Sequence, residues 1–227
     1  KYLQEFKRSP DVPSYSNIFK KRAKEKASFF NLLGTIGFDI ARIAAISAGL
    51  YGTQGFLRQR SGLDILKNNL NVFLETKKLL MGIGFEEPKE YLECDYLYYP
   101  LHVDPEASTM VLADKITNQL FVIENMAKSM PAGYKLLVKE HLPMIGMRPK
   151  GFYETIRNMP DVHLITPFAD GFSLIRNSKL VLTITGTAAF EAILLSKPAI
   201  VMGHTQFNCL GQGLIHTTEL AALEEII

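Results

Sequence analysis

From Tyr96 onward, short apolar runs alternate with segments of helical patterning, and this alternation restricts the fold more than any other feature of the chain. Strands are expected at Asp95–Pro100, Tyr134–Lys139, Val162–Ile165, Leu180–Ile184 and Ala199–Met202. Helices are expected at Thr117–Met130, Gly151–Asn158, Phe172–Ser178, Thr187–Ser196 and from Glu219 onward. Strands separated by helices pair in parallel through right-handed crossovers, which bury both faces of the sheet. The expected fold is therefore α/β, a Rossmann-like parallel sheet with helices on both faces, over residues 91–227. Ligands of such sheets bind beyond the strand C-terminal ends. Here those ends carry His102, Lys139 to His141, Pro167, Thr185 to Thr187, and Gly203 with His204.

Residues 1–90 read differently, as a mostly helical segment. Pro10 and Pro13 break any early helix. Leu63, Leu66, Leu70, Phe73, Leu74 and Leu80 recur near a 3.6-residue period, whereas Gly34, Gly37, Gly49, Gly52 and Gly55 weaken the pattern before Arg58. The stretch from Ser28 to Tyr51 is apolar, but Asp39 and Arg42 interrupt it, and charges at a bilayer centre cost several kcal/mol. A transmembrane helix is not expected there. The run Lys20-Lys21-Arg22-Ala23-Lys24-Glu25-Lys26 is either a solvated helix face or a contact for anionic lipid or glycan. The chain begins at Lys1 and ends in mid-helix pattern at Ile227, so a fragment of a longer protein is expected, with residues 1–90 a remnant of an upstream domain.

Composition narrows the function by exclusion. A net charge of +2 over 227 residues gives no general signal for nucleic acid. Cys94 and Cys209 have neither zinc-ligand spacing nor a disulfide framework, which favours a reducing compartment. No signal peptide, nucleophile elbow, Walker motif or dinucleotide glycine fingerprint is present.

The strand ends supply the candidate chemistry. Thr185-Gly186-Thr187 joins a strand to a helix, where backbone N–H groups without intrahelical partners attract anions. Gly186 allows close approach and both threonines offer hydroxyls, although the same residues make an ordinary turn with a threonine cap. Lys139, Glu140 and His141 crowd another strand end, and an imidazole there can donate to a phosphate, the alternative being a loop histidine without a role. Glu191, one turn beyond Thr187, either reaches ribose hydroxyls or sits on the helix surface near its positive end. Arg148 precedes a helix and can pair bidentately with phosphate or carboxylate. Ser108 and Thr109 follow the first strand as ligand donors or as helix caps. Tyr96, Tyr98 and Tyr99 are expected to pack within the sheet, and the histidines have no metal-ligand spacing.

Taken in order, Tyr98-Tyr-Pro-Leu-His-Val-Asp-Pro-Glu-Ala-Ser-Thr109, Val138-Lys-Glu-His141, Gly146-Met-Arg148, Gly151-Phe-Tyr153 and Thr185-Gly-Thr-Ala-Ala-Phe-Glu-Ala192 resemble the C-terminal domain of bacterial capsule and surface-polysaccharide biosynthesis proteins. That group resembles GT-B glycosyltransferases, including the capsule Kdo-transferase and sialyltransferase groups, and the resemblance spans roughly residues 95–205. It implies the C-terminal half of a GT-B fold acting on a CMP- or UDP-linked sugar, without metal or further cofactor, in the cytoplasm or peripherally at the inner membrane. The implied partners are a nucleotide sugar and a polysaccharide or lipid-linked glycan acceptor. His141 matches the family's phosphate-contacting histidine and is the implied catalytic group. Thr185 and Thr187 match its phosphate motif, and Glu191 its ribose-binding glutamate. Two departures stand out: Leu142 separates His141 from Pro143, and Ser196 replaces the glycine that normally precedes Lys-Pro. The base that activates the acceptor comes from the N-terminal domain in such enzymes and has no candidate here. The rival expectations are a sugar-nucleotide 2-epimerase and a non-catalytic binding module.

Overall fold

A computed structural model describes residues 21–25, 27–47, 62–81, 83–113, 115–211 and 213–227. Pro10, Pro13, Lys20, Lys26, Gly49, Gly52 and Gly55 lie outside the described residues. The chain divides into two compact units, one built from Gly84–Met144 with Pro149–Ile227, the other from described residues between 17 and 83 with Ile145–Arg148.

The second unit rests on two helices, α1 (Phe29–Ser47) and α2 (Gly62–Leu80). Leu32 and Asp39 of α1 are buried at helical spacing, and the Asn69 amide of α2 donates to the Asp39 carboxylate. Among the described side chains of α2, which leave out Leu63 and Leu66, Thr76 and Leu79 are buried, while Leu70, Leu74 and Leu80 are exposed. The apolar period therefore marks a helix correctly, but Leu70, Leu74 and Leu80 do not mark its buried face. Gly146 fits only as glycine: its φ is +79°, and an added Cβ would lie 2.4 Å from Val72 Cα. The Asn71 amide donates to the Gly146 carbonyl at 2.7 Å, which ties Ile145–Arg148 to α2. Among the described residues, no helix is long and apolar enough to cross a membrane.

The first unit is a six-stranded parallel sheet in the order β3-β2-β1-β4-β5-β6. Its strands are β1 (Tyr96–Pro100), β2 (Lys135–Lys139), β3 (Val162–Ile165), β4 (Leu180–Thr183), β5 (Ala199–Val201) and β6 (Leu214–His216). The intervening helices are α3 (Ala107–Met110), α4 (Gln119–Ser129), α5 (Phe152–Arg157), α6 (Gly171–Asn177) and α7 (Ala188–Leu194), with α8 (Leu223–Ile226) last. The side-chain period of two divides each strand between two cores. Leu97, Tyr99, Leu136, Val138, Leu164 and Leu182 pack with Ile123 and Met126 of α4, Ile156 of α5 and Leu223 of α8. Tyr96, Tyr98, Leu137, Val181 and Val201 pack with Leu174 and Ile175 of α6 and Ala189 and Ala192 of α7. The tyrosines are thus packing residues, and the Tyr96 hydroxyl donates to the Leu174 carbonyl at 2.7 Å.

Helix starts follow from local chemistry. Asn118 caps α4 by accepting from Phe121 N–H, and Asp170 caps α6 by accepting from Phe172 and Ser173 N–H. Residues 84–90, read from the sequence as the end of the helical segment, belong to the sheet unit, where Glu86 bridges in parallel to Ile165 of the edge strand β3. Strand β6 and helix α3 had no counterpart among the expected elements.

Candidate functional site

Chain order reverses beside β1. The chain runs from β1 outward to β2 and β3, then returns to β4 on the other side of β1. The C-terminal ends of β1 and β4 therefore flank a crevice, the place where open parallel sheets receive ligands. His102 follows β1 at this crevice, and Thr183 to Thr187 follow from β4.

The β4–α7 turn is held by internal hydrogen bonds. Gly186 N–H donates to Thr183 Oγ1 at 2.9 Å, and Thr185 N–H donates to His102 Nε2 at 3.3 Å. His102 Nε2 lies 2.8 Å from Thr183 Oγ1. Because Nε2 accepts the Thr185 amide it carries no hydrogen, so the Thr183 hydroxyl donates to it and the ring hydrogen sits on Nδ1. Both Thr183 and His102 are buried. Gln119, the first residue of α4, clasps the His102 backbone from both sides. Its Oε1 accepts His102 N–H at 2.8 Å and its Nε2 donates to the His102 carbonyl at 3.2 Å.

This network changes the sequence reading of the turn. The amides of Thr185 and Gly186 were expected to face an anion, but both are engaged within the protein. A Cβ on Gly186 would lie 2.6 Å from Thr183 Oγ1 and 3.1 Å from His102 Nε2, so glycine is required by the turn's own packing. Gly203, at the end of β5, is equally confined, its Cβ position lying 2.5 Å from Thr185 Cγ2. Against these engaged groups, Thr185 Oγ1 is buried and has no hydrogen-bond partner. A buried hydroxyl without a partner costs about 1–3 kcal/mol.

A second group of polar side chains collects on the α6/α7 side. Lys139, partly buried at the end of β2, is held below the ordinary lysine range by burial, opposed by the charges of Asp170, Glu191 and Glu140. Burial holds Glu191 above the ordinary carboxylate range, opposed by the Thr187 hydroxyl and the Lys139 charge. Thr187 Oγ1 donates to Glu191 Oε1 at 3.1 Å. The buried Tyr98 phenol is pushed up by burial and then by Glu191. Lys139, Asp170 and Glu191 therefore share one neighbourhood within electrostatic reach.

The remaining candidates fall elsewhere. His141 is exposed at the rim, with its N–H donating to Glu140 Oε1. Glu140 is buried, and its Oε2 accepts the Tyr153 hydroxyl of α5 at 2.9 Å. The three polar residues at the β2 end are therefore divided: Lys139 turns toward α6 and α7, Glu140 toward α5, and His141 outward. The inserted Leu142 opens a short 3₁₀ turn, Leu142–Met144, in which Met144 N–H donates to the His141 carbonyl at 2.9 Å. Thr109 is buried, and its hydroxyl donates to the Glu106 carbonyl at 3.0 Å, so it serves the α3 turn. Ser108 lies in α3, with its side chain outside the described residues. Arg148 is buried and belongs to the helical unit. Among the described residues, no group of three or more histidines, cysteines or carboxylates is arranged to hold a metal ion.

Thr183, Gln119 and Asp170 were given no role from the sequence, and His102 was named only as a strand end. Thr183 carried a signal, since a threonine three residues before a glycine can close a side-chain turn on its amide. His102 carried only its place two residues beyond β1.

A family model described as capsule polysaccharide biosynthesis protein matches residues 100–223. No curated protein matches the sequence. Among solved structures, the UDP-GlcNAc 2-epimerase of Methanocaldococcus jannaschii is 15% identical, with a TM-score of 0.47, covering 68% of this chain and 45% of that one. The beta Kdo 2,7 transferase of Thermosulfurimonas dismutans KpsC is 16% identical, with a TM-score of 0.44, covering 68% of this chain and 52% of that one. The chain thus spans about half the length of these structures.

Proposed function

The chain belongs to the family of capsule polysaccharide biosynthesis proteins, and from that premise we propose that it is a glycosyltransferase. It passes a sugar from a CMP- or UDP-linked donor to a surface or capsular polysaccharide, or to a lipid-linked glycan. The observation that carries the reading is the buried Thr185 hydroxyl, which lacks a partner beside the β1/β4 crevice. A phosphate oxygen is the acceptor that such a donor lacks. Lys139 brings positive charge to the same sheet end, and an arriving phosphate favours its protonated form against the cost of burial. The departing nucleotide phosphate gains charge in the transition state, where donors fixed in advance stabilise it without reorganising.

Glu191 and Thr187 act as an exchangeable pair in this reading. The Thr187 hydroxyl that now donates to Glu191 turns to phosphate, which releases a carboxylate oxygen for a ribose hydroxyl. His141, at the rim, donates to the departing phosphate and is the assigned catalytic residue. The only small molecule required is the nucleotide sugar itself, as substrate. The proposed location is the cytoplasm, with peripheral contact at the inner membrane.

Calorimetry of full-length protein with CMP, UDP and GDP tests donor binding, and heat is expected with CMP or UDP. No heat with any of them, in folded protein, leaves the non-catalytic module as the better reading. Incubation with nucleotide sugars and no acceptor tests the chemistry, since accumulation of an epimer would remove transfer as the activity. His141→Ala should weaken binding or transfer with its melting curve nearly unchanged, and extensive unfolding would make His141 structural instead. Glu191→Ala should weaken nucleotides more than inorganic phosphate, and equal losses would remove the ribose contact.

A further inference from the structure

The His102 network joins three separate elements at the crevice. Its backbone is clasped by the first residue of α4, and its ring accepts from the side chain that ends β4 and from the amide of Thr185. Thr183 passes the connection to Gly186 N–H. Packing leaves little freedom around it, because neither Gly186 nor Gly203 has room for a Cβ, which on Gly203 would lie 2.5 Å from Thr185 Cγ2. Among the described residues, the hydroxyl of Thr185 in this turn is buried without a partner. A side chain that only filled space here would not need an acceptor at Nε2.

We infer that His102, as the neutral ring with its hydrogen on Nδ1, is a positioning residue that fixes the Thr183–Thr187 turn so that Thr185 Oγ1 meets the donor phosphate. This deepens the function proposed above and rests on it. His102 acts through the turn and does not itself touch the nucleotide. Its contribution is to remove turn conformations in which the Thr185 hydroxyl points elsewhere, which lowers the ordering cost of binding.

The test separates the turn from the nucleotide. In ligand-free protein, long-range ¹H–¹⁵N spectra should show Nε2 unprotonated and Nδ1 protonated. Amide exchange at Thr185 and Gly186 should accelerate at least about tenfold in His102→Ala, the order expected when a hydrogen bond is lost. CMP and UDP should then bind His102→Ala about tenfold more weakly. His102→Gln, whose side-chain carbonyl can accept in place of Nε2, should recover most of that loss, while His102→Phe should not. The Gln and Phe variants keep the test decisive if His102→Ala unfolds, since they differ in acceptor capacity at similar bulk. Protonated Nε2, unchanged exchange, or equal affinities for the Gln and Phe variants overturns the inference. Wild-type protein that binds nucleotide, with a His102→Ala variant that binds it equally well, overturns this inference alone. Wild-type protein that binds neither nucleotide overturns the functional reading, and the positioning role falls with it.

Discussion

Thr185 places a hydroxyl in the protein interior where it bonds to no other group. Folding gains nothing from that arrangement, so replacing the hydroxyl by a methyl group of similar shape should relieve a cost. Thr185→Val should raise the free energy of unfolding by about 1 kcal/mol in ligand-free protein, measured by urea denaturation. The same variant should bind CMP or UDP about tenfold more weakly. A stability gain without loss of affinity would detach Thr185 from the phosphate. Glu191 gives a pH-dependent counterpart. Burial raises its pKa in the folded chain, so the folded state holds a proton that the unfolded state has already lost. Its contribution to stability is therefore fully present below the ordinary carboxylate range and is lost as pH rises through the raised pKa. Glu191→Gln should flatten that part of the stability–pH curve, and urea melts at closely spaced pH values would show it. An unchanged slope would mean that burial does not govern this carboxyl. Thr185 and Lys139 could be named from the sequence because each is a polar residue at the end of an apolar run, and Glu191 because it lies one helical turn beyond Thr187. The role of His102, named only as a strand-end residue, could not be read there, because its partner Thr183 lies 81 residues away and only the strand register brings the two together.

The regular elements were legible where burial imposed a period. Each of the five expected strands forms, with Val162–Ile165 matching at both ends, because continuous apolar runs between turn signals have few alternatives in a doubly covered sheet. Strand β6 escaped notice because Ile215 and His216 are exposed and only Leu214 is buried, leaving no apolar pattern over three residues. Helix α3 has four residues, too few to display a helical period. The end of α7 is the more instructive difference. Ser196 stands where the resembled family has glycine, yet it adopts φ +60° and the left-handed cap is complete. Lys197 N–H donates to the Ala192 carbonyl at 2.8 Å and Ser196 N–H to the Ile193 carbonyl at 3.0 Å, the paired bonds of a Schellman ending. The bonds hold the backbone in a conformation that a Cβ disfavours by roughly 1 kcal/mol. Ser196→Gly should accordingly raise stability by about 0.5–1 kcal/mol, seen as a higher melting temperature with nucleotide affinity unchanged. A lower melting temperature would mean that the serine side chain contributes more than its backbone strain costs.

At the scale of the whole chain, the two compact units are not contiguous in sequence. Ile145–Arg148 belongs with α1 and α2, a grouping set by the fit of Gly146 against Val72 that no local pattern announces. The helical unit also leaves unusual surface. Phe29, Phe30, Leu33, Phe38 and Ile40 of α1 are exposed, and Lys21, Arg22 and Lys24 are exposed just before it. Since the whole chain carries only +2, any attraction to an anionic surface must come from this local cluster rather than from the overall field. Basic residues beside exposed aromatic and aliphatic side chains form the combination that holds a helix at a bilayer surface. Each basic side chain near an anionic bilayer is worth about 1 kcal/mol, so reversing Lys21, Arg22 and Lys24 to glutamate should lower vesicle binding by roughly a hundredfold or more. Full-length protein should sediment with phosphatidylglycerol-containing vesicles and release them as salt rises, because screening shortens the reach of exposed charges. Phe30→Ser, at the most exposed aromatic position of α1, should weaken binding without altering its salt dependence, since it removes apolar contact and leaves the charge in place. Equal binding to neutral phosphatidylcholine vesicles, or indifference to the three charge reversals, would remove the membrane from the proposed location.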